Sequence, residues 1–555
     1  MKKLTMQLRL APKWGKSSYA LLLLFVATAI ALPAQTFTSL VSFSGSNGAY
    51  PASMSLVQGT NGNLYGTAPY GGAYSGGTVF KMTPTGTLTT LYSFCAQTNC
   101  TDGKTPLAGL VLATNGTFYG TTSSGGLYGD GTVFSITAGG MLTTLHSFDL
   151  TTDGAYLVGG LVQAANGTFY GATGEGGTNN YGTVFSMTSG GTVTTLHNFD
   201  GTDGSYPYAA LVQGVNGTFY GTTSDFGANG YGTVFNVTPG GTLTTLHNFD
   251  LTDGADPYAP LVQATNGTFY STTSEGGANG YGTVFSITAG GMLTTLHSFD
   301  STDGAYPYAA LIQATNGTFY GTTSEGGTAN CSYGLPCGSV FSITSGGTLT
   351  TLHSFDSTDG EKPDAALVQD TNGTFYGVTY EGGASNYGTI FSLAVGLPPF
   401  VETLPRSGKV GKAVKILGTD LTGAISVTFN STAATFTVAS KSEITTTVPA
   451  GATTGEVKVV TSNGTLTSNV LFRVTPQFTS LTPASGPVET IVTITGVSLT
   501  QTTKVTFGGV KATTFTVNSD TQVTATVPTS AETGKIAITT AGGAATSATV
   551  FTLIP

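Results

Sequence analysis

One pentapeptide constrains this chain more than any other feature. Asn-Gly-(Thr/Asn)-(Phe/Leu)-Tyr occurs at Asn61, Asn115, Asn166, Asn216, Asn266, Asn316 and Asn372, in steps of 54, 51, 50, 50, 50 and 56 residues. A period near fifty means a repeat architecture, in which each unit buries its faces only against its neighbours. The copy from Ala309 to Asp356 reads as four short strands. The first lies around 309–314, followed by Thr318–Thr323, Ser339–Thr344 and Thr348–Phe355. Asn316-Gly317 is a hairpin signal, expected to place both residues at positive φ. Gly346-Gly347 turns the chain again before the fourth strand. Four antiparallel strands in about fifty residues make one blade of a β-propeller.

The two ends of the array carry an independent constraint. The seventh copy ends with Gly388–Leu393 and reaches Pro398-Pro399 without a fourth strand. Ahead of the first copy lies an orphan fourth strand, Phe37-Thr38-Ser39-Leu40-Val41-Ser42-Phe43, matching the later Leu-Thr-Thr-Leu-His-Ser-Phe. The expected fold is therefore a seven-bladed propeller over residues 35–397, its last blade completed by the N-terminal strand. Such closure removes open sheet edges.

Two segments of about eighty residues follow, at 398–474 and 475–555. Short alternating strands at this spacing read as β-sandwiches. In the second, Phe478–Pro487 leads into Val492–Gly496, Val505–Gly509 and Gln522–Pro528. The first is a looser copy, with Asn430 where the second has Gly508.

These residues carry two resemblances. Asp-Gly-x-x-Pro, Leu-Val-Gln, Asn-Gly-x-Phe-Tyr-Gly-Thr-Thr and Gly-Thr-Val-Phe in series resemble the GloVer tandem repeat of exported bacterial proteins. The fullest copies are at Asp203–Phe235 and Asp303–Phe341. The C-terminal segments resemble IPT/TIG domains of the immunoglobulin-like class. The resemblance implies a surface or secreted protein and brings no catalytic residues with it.

Residues 1–34 read as an export signal. Lys2, Lys3, Arg9, Lys13 and Lys16 precede the apolar run Ala20–Leu32, with Ala29-Ile30-Ala31 as a cleavage pattern. An uncleaved anchor is the competing reading, and no later run is long enough to span a bilayer. Cys95 with Cys100, and Cys331 with Cys337, lie in the two insertions that lengthen the first and last steps. An even count in an exported chain favours two local disulfides.

Residues 35–397 hold 21 acids, three Lys and no Arg. That balance repels phosphate backbones and excludes nucleic acid as a partner. All five histidines, His146, His197, His247, His297 and His353, occupy one repeat position on the fourth strand. Fourth strands of different blades diverge, so these side chains cannot converge on a metal. A repeated packing or hydrogen-bonding role is expected instead.

Paired acids follow at Asp200/Asp203, Asp250/Asp253, Asp300/Asp303 and Asp356/Asp359, each second Asp preceding Gly. Two readings stand. Clustered carboxylates suit calcium, the one cofactor this chain calls to mind, and Asp-Gly is ordinary Asx-turn chemistry. Tyr206, Tyr208, Tyr258, Tyr306 and Tyr308 come next in the same loops. They suit a saccharide or peptide surface, or else blade-to-blade packing. The functional expectation is a monomeric, exported, non-enzymatic binding or adhesion protein. It would recognise polysaccharide or another surface protein through one propeller face. The alternative is a propeller hydrolase or lyase acting on polysaccharide.

Overall fold

The computed structural model describes residues 35–51, 55–329, 331 and 336–555. The export-signal reading of residues 1–34 falls outside them. Each of the first six repeats forms one four-stranded antiparallel sheet with its strands in chain order. In the sixth, the strands are Ile312–Gln313, Phe319–Thr323, Ser339–Ile343 and Leu349–Ser354. The first strand is shorter than the sequence implies, pairing only Ile312 with Tyr320 and Gln313 with Phe319.

The Asn-Gly turn differs from the expected form. Gly317 alone has positive φ, at 80°. Asn316 works through its side chain: Oδ1 accepts the Thr318 amide at 3.0 Å and Nδ2 donates to the Tyr320 hydroxyl at 3.2 Å. The result is a three-residue loop with glycine in the left-handed place, in which asparagine acts as an Asx cap. Asn, Gly, Thr and Tyr therefore act as one local unit, which accounts for their joint recurrence.

The second strand is buried along its whole length, and the third nearly so. Both of its faces are covered by neighbouring sheets. Gly321 sits where a Cβ would lie 2.7 Å from both Leu311 and Phe341. Those two apolar side chains fill the space its missing side chain leaves.

The sheet of the seventh repeat is assembled from both ends of the array. Its order is Thr36–Ser42, Thr389–Ala394, Phe375–Thr379, Val368–Gln369. Phe37 pairs with Leu393 in register and stacks on His353, with ring centroids 3.6 Å apart. Phe43 is fully buried against Phe80 of the first repeat. An apolar cluster also joins the first sheet to the seventh, through Leu56, Leu64 and Phe80 on one side and Tyr376, Val378 and Ile390 on the other. Consecutive sheets elsewhere share equivalent clusters.

Two β-sandwiches follow, each with its own core, around Ile416, Phe429 and Ile444 in the first and Ile494, Phe507 and Ile538 in the second. Asn430 and Ser431 take φ of 42° and 73°, where Gly508 and Gly509 take 55° and 91°. Asparagine tolerates that region better than most residues, so the looser copy keeps the same turn. The first sandwich seats on the repeats. Leu404 and Leu417 join the cluster between the first two sheets, and Ser442 Oγ donates to Thr60 O at 2.9 Å. Both cysteine pairs are disulfide-bonded.

Candidate functional site

The loops that lead from one sheet to the next are built on the histidines. His197 Nε2 donates to Asp203 Oδ2 at 2.6 Å, His247 to Asp253 at 2.7 Å, His297 to Asp303 at 2.7 Å and His353 to Asp359 at 2.8 Å. His146 does the same to Asp153 at 2.5 Å. The first acid of each pair has another task. Asp200 Oδ1 accepts the amide of Thr202 at 2.9 Å and its hydroxyl at 2.6 Å. Thr202 bonding holds its carboxyl below the usual range. Asp250, Asp300 and Asp356 hold Thr252, Thr302 and Thr358 alike.

In each loop one oxygen of the first Asp and both of the second are engaged by the protein, the second Asp's Oδ1 accepting the first Asp's amide. Among the described residues, no group of three or more His, Cys, Asp or Glu is placed to hold a metal ion.

Two repeats replace this pair with different chemistry. In the loop from the first sheet to the second, Tyr92 stands at the histidine position and donates to Asp102 Oδ2 at 2.8 Å. At the first loop, Val41 and Asn47 stand in place of His and Asp. Asn47 Oδ1 instead accepts the Ser44 amide at 2.9 Å. Where the donor is lost the charge is lost with it, so neither partner is left buried and unpaired.

The next residue of functional interest is two beyond each Gly. Tyr50, Thr105, Tyr156, Tyr206, Asp256, Tyr306 and Lys362 all have left-handed backbones, with φ between 51° and 59°. This conformation costs a non-glycine residue about 1–2 kcal/mol. It is held by two backbone bonds. The Tyr206 amide donates to Tyr181 O of the preceding sheet at 3.1 Å, and its carbonyl accepts from Ser224 N at 3.2 Å. Thr105, Tyr156, Asp256, Tyr306 and Lys362 repeat both bonds, whereas Tyr50 keeps only the first, because Pro69 stands where the second donor would be. Residues in such overdetermined strain gather at functional sites. Here the strain turns the chain so that the residue after the proline points to a shared space.

That space is a cavity of about 540 Å³ to which all seven repeats contribute, from Ser55 in the first to Ala366 in the seventh. Tyr156, Tyr208, Tyr258 and Tyr308 line it together with Asp364. Tyr208 and Tyr258 lie nearly parallel, 6° apart with centroids at 5.8 Å, and Tyr308 meets Tyr258 edge-on at 5.5 Å. Of the tyrosines singled out from the sequence, Tyr208, Tyr258 and Tyr308 are brought together here. Tyr206 and Tyr306 are not in the lining. They occupy the strained position, where Tyr206 stacks on Tyr208 at 5.8 Å and Tyr306 meets Tyr281 at 6.1 Å.

The electrostatics are one-sided. Glu175, Asp225, Glu275, Glu325 and Glu381 occupy one equivalent position after the second strand, each bridged to the loop just described. Burial, with Glu275 and Asp225 nearby, pushes the Asp256 carboxyl up to about 6. Burial also raises Tyr308 to about 12, with Asp364 the largest charge acting on it.

Asp364 is the residue the sequence reading missed. It stands where Tyr208, Tyr258 and Tyr308 stand in their repeats, immediately after the proline. Its Oδ1 is enclosed and has no hydrogen-bond partner. Burial pushes its carboxyl up to about 7, against the opposing influence of Ser324 and Lys362. The sequence signal was present: one acid at a position otherwise aromatic or aliphatic.

The fold and this site define an all-β tandem-repeat protein with immunoglobulin-like modules at its C-terminal side. The chain belongs to the Gloeobacter/Verrucomicrobia repeat family, whose model matches residues 27–226 and 212–397. IPT/TIG domains match 399–474 and 476–553. No curated protein matches the sequence. Among solved structures, the chain is similar to a surface glycan-binding protein of Prevotella bryantii at 18% identity, over 26% of this chain and 38% of that one, with a TM-score of 0.21. It is similar to SGBP-B from a xyloglucan utilization locus of Bacteroides uniformis at 25% identity, over 27% and 48%, with a TM-score of 0.15. A fungal alcohol oxidase in complex with copper aligns over 79% and 98% at 12% identity, with a TM-score of 0.44. The chain therefore spans less than half the length of either glycan-binding structure.

Proposed function

We propose that the seven sheets close into a seven-bladed propeller and that the protein is an exported binding or adhesion protein. Support for closure comes from the N-terminal strand in the seventh sheet and the apolar cluster between the first and seventh sheets. Support for export comes from the basic, then apolar N-terminus and the two local disulfides. The sandwiches serve as a stalk that presents the propeller.

The ligand is a polysaccharide or a surface protein, bound through the face that carries the tyrosine-lined cavity. One observation carries this reading: all seven repeats converge on a single aromatic cavity whose volume suits a small ligand or a chain end. Tyrosine offers apolar ring area with a polar handle at low entropic cost. The test is a glycan array and a surface-protein capture with residues 35–555, repeated with Tyr208→Ala and Tyr258→Ala. Loss of binding in both variants is expected. Hits that survive both unchanged would place recognition elsewhere on the molecule.

A further inference from the structure

The cavity is not a neutral aromatic pocket. Among the described residues no Lys or Arg lines it, and Asp364 brings a carboxyl into it beside Tyr308. Around its rim stand Asp256, Glu275 and Glu325, which act on Tyr258 and Tyr308. Lys362, whose charge reaches Asp364, is itself paired with Glu381 at 3.2 Å. Low-dielectric walls focus such a field into the cavity. An anionic saccharide would be repelled.

The carboxyl of Asp364, the one acid in the lining, narrows the choice further. A sugar hydroxyl can bond to it but leaves its ionised form uncompensated. An ammonium group does both, because it donates and carries the opposite charge. The tyrosines suit the same group, since their ring faces attract cations. Tyr208 and Tyr258, nearly parallel with centroids 5.8 Å apart, offer ring faces against which a pyranose ring can pack.

We propose that this cavity binds a protonated amino sugar, its ammonium paired with Asp364 and its ring laid on Tyr208 and Tyr258. This rests on the reading of the face as a saccharide-binding surface. It assigns the ligand class: a glycan carrying free, non-acetylated amines.

Calorimetry on residues 35–555 with four probes tests it. These are short glucosamine oligomers, the same oligomers N-acetylated, neutral glucose oligomers, and a lysine-containing peptide. The amine oligomer is expected to bind at least about tenfold tighter than its acetylated form. Asp364→Asn should erase that preference, and Tyr258→Ala should weaken all saccharide binding. The wild-type ratio stands as a test even if a variant folds poorly. Equal binding of amine and acetylated oligomers would overturn the assignment while leaving the saccharide face intact. An amine preference that survives Asp364→Asn would reduce it to general attraction of an acidic surface, and overturn it. Tight binding of the peptide alone would move the ligand from sugar to protein. Binding of none of the four would sink the assignment and the saccharide reading together.

Discussion

Asp370 offers the sharpest test of the energetics. It lies in the turn between Val368–Gln369 and Phe375–Thr379, where other repeats carry Ala113, Ala164, Gly214, Ala264 and Ala314. It is 2% exposed, and its Oδ1 has no partner. The first sandwich covers the same turn, with Thr371 Oγ1 3.1 Å from Thr419 Oγ1. Burial pushes the carboxyl up to about 7, although the amides of Thr371 and Asn372 favour the ion, and Glu402 adds to the rise.

From its ordinary value of 3.8 up to about 7, the unfolded chain has released a proton that the folded protein still holds. Stability therefore falls as pH rises through that window and levels off above it. At about 1.4 kcal/mol per pH unit, the loss is about 4 kcal/mol at most. Asp370→Asn removes this titration, and its amide resembles the protonated acid in shape and bonding. The variant should match wild type near pH 4 and exceed it by about 2–4 kcal/mol at pH 8. Asp364, Asp256 and Glu361 titrate in both proteins and cancel in the difference. Denaturant unfolding at pH 4.5, 6 and 8 measures it. Parallel pH profiles for the two proteins would refute the argument that burial drives the titration.

Three further outcomes are expected. A chain beginning at residue 44 loses the strand Thr36–Ser42 and buried Phe43, so its repeat region should melt well below wild type; an unchanged melting temperature would exclude closure by that strand. His247→Ala and Asp253→Ala should each destabilise by about 1–3 kcal/mol, and the double variant by less than their sum; strict additivity in the cycle would mean the pair is not coupled. Calcium at millimolar concentration should leave the melting temperature unmoved, because three of the four carboxylate oxygens in loops such as Asp200/Asp203 are already bonded; a rise of several degrees would restore the calcium reading.

Much of the fold was legible because one side-chain pattern recurs in register. Asn-Gly-Thr-Phe-Tyr specifies its own hairpin through contacts no more than four residues apart. The permutation was legible because Phe37–Phe43 is a copy of a strand found elsewhere in the chain. The His–Asp pairing was harder to read. The partners lie six or seven residues apart and meet only once the fourth strand and its loop are formed. Its trace was the matched replacement at Tyr92/Asp102 and Val41/Asn47. The strained position left no trace, since Tyr, Thr, Asp and Lys share no preference for a left-handed backbone. Asp364 is not marked by the repeat pattern, because it departs from what the repeats have in common at that position.

The pairing of Thr36–Ser42 with Thr389–Ala394 also sets an order in time. The strand Thr36–Ser42 cannot find its neighbour until some 350 residues more have been made. Throughout that interval it waits with both edges bare, and such edges invite foreign strands. A chain cut short before Thr389 never covers the edge that pairs with Thr389–Ala394. Completion of the last repeat is thus a checkpoint written into the topology. A full-length chain pairs one edge of this strand, whereas a truncated one leaves both as handles for chaperones and proteases.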